Sequence, residues 1–156
     1  MQDTYEVTSA TYAVLAINET LSRVIEREKE FIINKSTIDI IEDSCKYYGC
    51  TYEGRCEGTK NLLNYSYKLP IMIEESKSLI FFPTASPKYA KCSWISLHEI
   101  DKFYKLGENT KILFKNGYNL VIDCSFETIE NQLMRATRLD CVMKERKNFI
   151  KSLNSK

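Results

Sequence analysis

The sequence predicts a single α+β domain spanning 1–156, mainly antiparallel β-strands with a helix pair at about 36–63 and a long C-terminal helix. Three observations point there. Short runs of β-branched and aromatic residues, broken by turn residues, fill most of the chain. Apolar residues at helical spacing occur at 36–48 and again after 125. A length of 156 residues with 44% hydrophobic composition suits one domain with a real core, and a chain of this size hides roughly 68–70% of its unfolded surface.

The first third reads as strands: Tyr5-Glu6-Val7, then Tyr12 to Ile17, a turn at Asn18-Glu19, Leu21 to Glu26, and Phe31-Ile32-Ile33. The period then changes. Ser36-Thr37-Ile38-Asp39 resembles a capping box with Asp in place of Glu. Ile38, Ile41, Cys45 and Tyr48 follow at helical spacing, and Gly49 supplies a left-handed stop. At 51–63 the glycines Gly54 and Gly58 lie four apart. Each costs about 1 kcal/mol against Ala inside a helix, so either something packs closely on that face or the segment is partly loop.

Leu69 to Ile73, Ser78 to Phe82 and Cys92 to Ser96 read as further strands, the second closed by Pro83. Thr110 to Phe114 and Asn119 to Ile122 flank Asn116-Gly117, which predicts a hairpin with a type I′ turn. Ser125 or Thr128 then caps the long helix, whose Phe126, Ile129, Leu133, Ala136 and Leu139 form one apolar stripe.

Composition excludes several classes. No apolar run approaches the roughly 20 residues of a bilayer-spanning helix, and the acidic N-terminus, with Asp3 and Glu6, is unlike an export signal. The expectation is a cytoplasmic protein without membrane contact. Its six cysteines, at 45, 50, 56, 92, 124 and 141, lack the tight pairs of a zinc site and read as free thiols, so no metal or cofactor is expected. The one histidine, His98, has no Ser or Cys partner in a recognisable motif, and phosphate-binding glycine loops are absent. Glu42-Asp43 and Glu74-Glu75 read as surface charge rather than converging catalytic pairs. No catalytic residue and no enzyme activity are expected.

Charge is separated along the chain. Residues 1–43 carry a net −5 and residues 44–156 a net +6, with +5 in the last 22 residues alone. One basic face for a polyanion is consistent with this, and so is a solvated basic helix end.

Five segments carry a family resemblance. They are Tyr5-Glu6-Val7 with Ala10-Thr11-Tyr12-Ala13-Val14-Leu15, and Ile41-Glu42-Asp43-Ser44-Cys45-Lys46-Tyr47-Tyr48-Gly49. Next come Tyr52-Glu53-Gly54-Arg55-Cys56-Glu57-Gly58-Thr59, Cys92-Ser93-Trp94-Ile95-Ser96, and Asn116-Gly117 with Glu130-Asn131-Gln132-Leu133-Met134-Arg135. Together, over roughly 4–140, they resemble the bacterial competence transcription factor family, ComK. Tyr-x-Gly-Arg-x-x-Gly-Thr is the most specific of them. Cys50, Cys56, Cys124 and Cys141 fall outside the family pattern.

The resemblance implies a nucleoid-associated activator of DNA-uptake genes. Such a protein binds A/T-rich double-stranded promoter boxes largely through the minor groove, as a dimer or tetramer of itself, and works with RNA polymerase. It also implies a proteolytic adaptor that reads a C-terminal tail found in longer members. A second reading is a tail-less family member acting as an interaction module that binds or dampens a full-length activator.

Minor-groove recognition of A/T steps needs Arg or Lys able to enter a narrow, negative groove, plus phosphate contacts. The candidates are Arg55, between two glycines, with Lys46 and Lys60 flanking it, and Arg135, Arg138, Arg146 and Lys147 on the long helix. For Arg55 an ion pair with Glu53 or Glu57 is the alternative, and for the helix residues dimer packing or solvation. Trp94 is expected in the core rather than against a base.

Overall fold

The computed structural model describes residues 1–155. In chain order the elements are β1 (Thr11–Ala16), β2 (Ser22–Glu26), β3 (Glu30–Ile33), α1 (Thr37–Tyr47), α2 (Tyr52–Leu63), β4 (Ile71–Glu74), β5 (Leu79–Pro83), β6 (Trp94–Ser96), β7 (Ile100–Leu106), β8 (Asn109–Phe114), β9 (Asn119–Ile122) and α3 (Phe126–Asn154). This is the α+β architecture expected, with every named strand pair antiparallel.

A six-stranded sheet, ordered β3-β2-β1-β6-β5-β4, divides the interior. Alternation along its strands sorts side chains to two cores. Val14, Val24, Ile71, Ile73, Phe81 and Trp94 face α1 and the N-terminal segment, against Ile40, Ile41 and Cys45. Ile25, Met72, Ile80, Phe82 and Ile95 face the other way, onto α3 and the three-stranded sheet β7-β8-β9. The layers are therefore α1 with the N-terminal segment, the large sheet, and a layer shared by α3 and the small sheet; α2 lies beside β4, with Leu63 in the core on the α3 side.

Local chemistry sets the helix ends. Ser36 caps α1 by accepting from the Asp39 N–H, and Gly49 leaves it at φ +83°. Thr51 caps α2 by accepting from the Gly54 N–H, so 51–63 holds a full helix despite its glycines. A Cβ on Gly58 would meet open space, whereas one on Gly54 would come within 2.9 Å of the Thr51 Oγ1 that caps the helix, so Gly54 leaves room for the cap. Asn64, left-handed at φ 59°, ends α2. Ser125 rather than Thr128 is the cap of α3.

Three sequence expectations need correction. Tyr5-Glu6-Val7 is buried coil, not strand. Its backbone is spent on α1 side chains: the Ser44 Oγ accepts from the Val7 N–H at 3.0 Å and the Tyr48 hydroxyl donates to the Val7 carbonyl at 2.8 Å. The β8–β9 hairpin exists, but its loop is 115–117. Gly117 at φ +92° returns an N–H to the Phe114 carbonyl, and Asn116 is not left-handed. That is a type I turn with a glycine bulge rather than type I′. Strand β7 carried no alternating pattern in the sequence, because five of its seven residues are exposed on an edge.

The six cysteines are free thiols. Burial, then the neighbouring Cys50, pushes the Cys45 thiol up to about 12, and burial pushes Cys92 up to about 11. Cys141 is exposed. A thiol reagent at pH 8 is expected to modify Cys141 within minutes and to reach Cys45 and Cys92 only at the rate of unfolding, read by peptide mapping.

Candidate nucleic-acid interface

Sheet register brings several loops to one end of the molecule. Ile71 pairs with Phe81 and Pro83 with Trp94, so the start of β4, the end of β5 and the start of β6 lie side by side. The Ala16 N–H reaches the Ser93 hydroxyl at 2.9 Å, which adds the end of β1. Cys124 Sγ lies 3.5 Å from the Thr84 carbonyl and the Thr110 hydroxyl donates to the Cys124 carbonyl at 2.8 Å, adding the start of α3 and of β8. Gln132, fully buried in α3, holds the set together: its Nε2 donates to the carbonyls of Lys68 at 3.0 Å and Pro83 at 2.8 Å.

This end is basic. A shallow groove is lined by Lys60 of α2, Tyr67 and Lys68 of the α2–β4 loop, and Ser86, Pro87 and Lys88 of the β5–β6 loop, with no acidic side chain among its lining. Tyr67 is 68% exposed and Tyr89, beside Lys88, 53%. The Lys88 ammonium sits 5.4 Å from the Tyr89 ring centre. Arg135 braces the groove wall from α3: its guanidinium lies 4.2 Å over the Tyr65 ring and its Nη1 donates to the Tyr67 carbonyl at 2.9 Å. Lys91, exposed across the same loop, lines a second cleft with Asp123, Ser125 and Thr128, at the positive end of the α3 dipole, and Glu19 lines a further hollow beside Lys88 and Tyr89.

The seven sequence candidates do not form one surface. Lys60 and Arg135 belong to the basic end. Arg55 and Lys147 meet at the opposite end around the β4–β5 turn, where Arg55 Nη1 is 3.0 Å from Glu75 Oε1 and Lys147 Nζ is 3.4 Å from the Glu75 carbonyl. The alternative weighed for Arg55, an ion pair, is thus realised with Glu75 instead of Glu53 or Glu57. Lys46 is exposed in the last turn of α1. Its surroundings are acidic: burial first, then Asp39, with Asp43 and Glu53 adding, raises the Glu42 carboxyl above its ordinary range although Lys46 opposes them. Arg138 and Arg146 are exposed along α3.

Lys68, Lys88, Lys91, Tyr67 and Tyr89 were missed by sequence reasoning. The signal was there: Tyr67-Lys68 and Lys88-Tyr89 are cation–aromatic neighbours in Ser- or Pro-containing connections. Trp94, as expected, is wholly buried. The Ser76 side chain first, then the N–H groups of Ser76 and Lys77, hold the Glu74 carboxyl below the usual range; Glu74 and Glu75 are thus engaged with the turn and with Arg55. Among the described residues, no helix is long and apolar enough to cross a membrane.

An open, cationic, tyrosine-flanked surface on a small α+β domain suits a polyanion better than an enclosed small substrate. Comparison with known proteins gives the class. Residues 2–148 match the family model described as ComK protein. The chain is also similar to the competence transcription factor of Bacillus subtilis (strain 168), 34% identical over 149 residues that cover 92% of this chain and 77% of that protein. No solved structure gives a significant match. The chain belongs to the ComK family, and as a member it is a competence-related transcription factor, a class distinct from enzymes.

Proposed function

We propose that this protein is a DNA-binding activator of DNA-uptake genes that seats A/T-rich promoter boxes across its basic end, from the minor-groove side. The observation that carries the reading is the convergence of Lys60, Lys68 and Lys88 in one groove beside exposed Tyr67 and Tyr89, with no carboxylate among the lining residues. Lysines there meet phosphates, and the mobile stems allow entry to the negative furrow of an A-tract. In this reading the protein works in the cytoplasm, on the nucleoid, as paired copies that present DNA to RNA polymerase.

The test is a titration of a labelled duplex carrying two A-tract boxes at several salt concentrations. Phosphate contacts from Lys60, Lys68 and Lys88 of the groove and Lys91 of the neighbouring cleft predict a slope of log affinity against log salt of about −3 to −4. A slope near zero, or no binding at low salt, removes the reading. Arg55→Ala gives a second check. With its guanidinium held by Glu75, the variant is expected to bind the duplex within about twofold of the parent. A loss of roughly 1–3 kcal/mol would instead put Arg55 in the groove.

A further inference from the structure

Helix α1 ends in a closed turn that sets two cysteines side by side. Gly49, left-handed at φ +83°, donates its N–H to the Lys46 carbonyl at 3.0 Å, and the Cys50 N–H donates to the Cys45 carbonyl at 3.0 Å. These two bonds define a Schellman motif, whose outermost residues commonly bring their side chains into contact. Here both of those residues carry thiols. The backbone bond between them also holds their Cα atoms within the roughly 4.4–6.8 Å that a disulfide spans. The sulfurs adjoin, since Cys50 follows burial among the causes that push the Cys45 thiol up. Cys45 is wholly buried. Cys50 is half-buried, and its thiol donates to the carbonyls of Cys45 at 3.2 Å and Ile73 at 3.7 Å.

A third group completes the cluster. Burial works to lower the Arg55 guanidinium, but Glu75 and then the adjoining Cys50 sulfur hold it above its ordinary range. Its Nε is buried and has no hydrogen-bond partner among the described residues. A Cys50 thiolate gives that donor one. We propose that Cys45 and Cys50 form a modification site for peroxides, with Cys50 as the attacking thiol and Cys45 as the resolving one. Cys50 loses its proton to solvent, and its sulfur attacks one peroxide oxygen. The O–O bond breaks, the departing hydroxide takes up a proton as water, and Cys50 becomes a sulfenic acid. The Cys45 thiol then attacks the Cys50 sulfur. The S–O bond breaks, and the hydroxide leaves with the Cys45 proton as a second water. One hydrogen peroxide is thus reduced to two waters while two thiols become one disulfide. Burial shields Cys45 from reagents in solution, so its oxidation in the folded chain runs through Cys50. The site is independent of DNA binding.

Peptide mapping of the folded full chain tests the proposal without any substitution. Trypsin cuts after Lys35, Lys46, Arg55 and Lys60, so Cys45, Cys50 and Cys56 fall in separate peptides, 36–46, 47–55 and 56–60. One equivalent of hydrogen peroxide is expected to join 36–46 to 47–55 by a reducible bond. That link forms on the order of tenfold faster than the exposed Cys141 thiol is lost in the same sample. Arg55→Ala lowers this ratio by about tenfold. Cys50→Ser leaves Cys45 reduced, and Cys45→Ser leaves Cys50 as a sulfenic acid that a cyclic 1,3-diketone traps. A link from Cys50 to Cys56, oxidation of Cys50 no faster than of Cys141, or oxidation of Cys45 in the folded Cys50→Ser chain overturns the inference. The map of the parent chain decides the pairing even where a variant folds poorly.

Discussion

Lys60→Ala, Lys88→Ala and Lys91→Ala, combined, are expected to lower affinity for an A-tract duplex on the order of 10²–10³-fold at about 0.1 M salt. Each phosphate contact contributes close to 0.9 to the slope of log affinity against log salt, so the triple variant loses about 2.7 from it. Extrapolated to 1 M salt, parent and variant converge. The three side chains are exposed, so thermal stability stays near that of the parent. A matched triple outside the groove, Lys46→Ala with Arg146→Ala and Lys147→Ala, removes the same charge and is expected to have a much smaller effect. Equal losses from both triples would mean that the protein attracts DNA by its net field alone. Fluorescence anisotropy across a salt series checks both.

Trp94→Ala is expected to cost about 3–5 kcal/mol, a large share of the roughly 5–15 kcal/mol that holds a domain folded. Trp94 is wholly buried on β6, between β1 and β5, with the Tyr52 ring edge-on at 6.2 Å. It joins the start of α2 to the middle of the large sheet, and its removal leaves a cavity that rigid neighbouring strands cannot close. For a chain of this size the loss lowers the melting temperature by roughly 6–20 °C. The indole Nε1 has no hydrogen-bond partner, so the cost is packing. Trp94→Phe, which keeps most of that packing, is expected to lose far less. Thermal unfolding followed by circular dichroism separates the two variants. Equal, small losses would mean that the core repacks around the gap.

Where local chemistry and burial agree, the sequence is readable in advance. The run Ser36-Thr37-Ile38-Asp39 announces α1 because one serine hydroxyl satisfies the Asp39 N–H that would otherwise be orphaned. Strands β4, β5 and β6 read correctly because both faces are buried and the apolar runs are continuous. Tyr5-Glu6-Val7 has strand composition, yet Ser44 and Tyr48 claim its backbone from another element; no local pattern carries that. β7 was hidden for the opposite reason, since an exposed edge strand need not alternate. The basic end was half legible. Lys60 and Arg135 came from their positions near the family-like segments, but Lys68, Lys88 and Lys91 join them only through the pairing of β4, β5 and β6. The ion-pair alternative for Arg55 points to its neighbours Glu53 and Glu57, whereas its partner, Glu75, lies 20 residues away in the chain.

The most direct test of the central claim is an amide chemical-shift map of the isotope-labelled protein titrated with an A-tract duplex. The account predicts the largest shifts at Lys60, Tyr67, Lys68 and the 86–91 loop, with little change at Lys46, Arg55 and Lys147. Shifts concentrated around Arg55, Glu75 and Lys147 would contradict it and place DNA at the other end of the molecule.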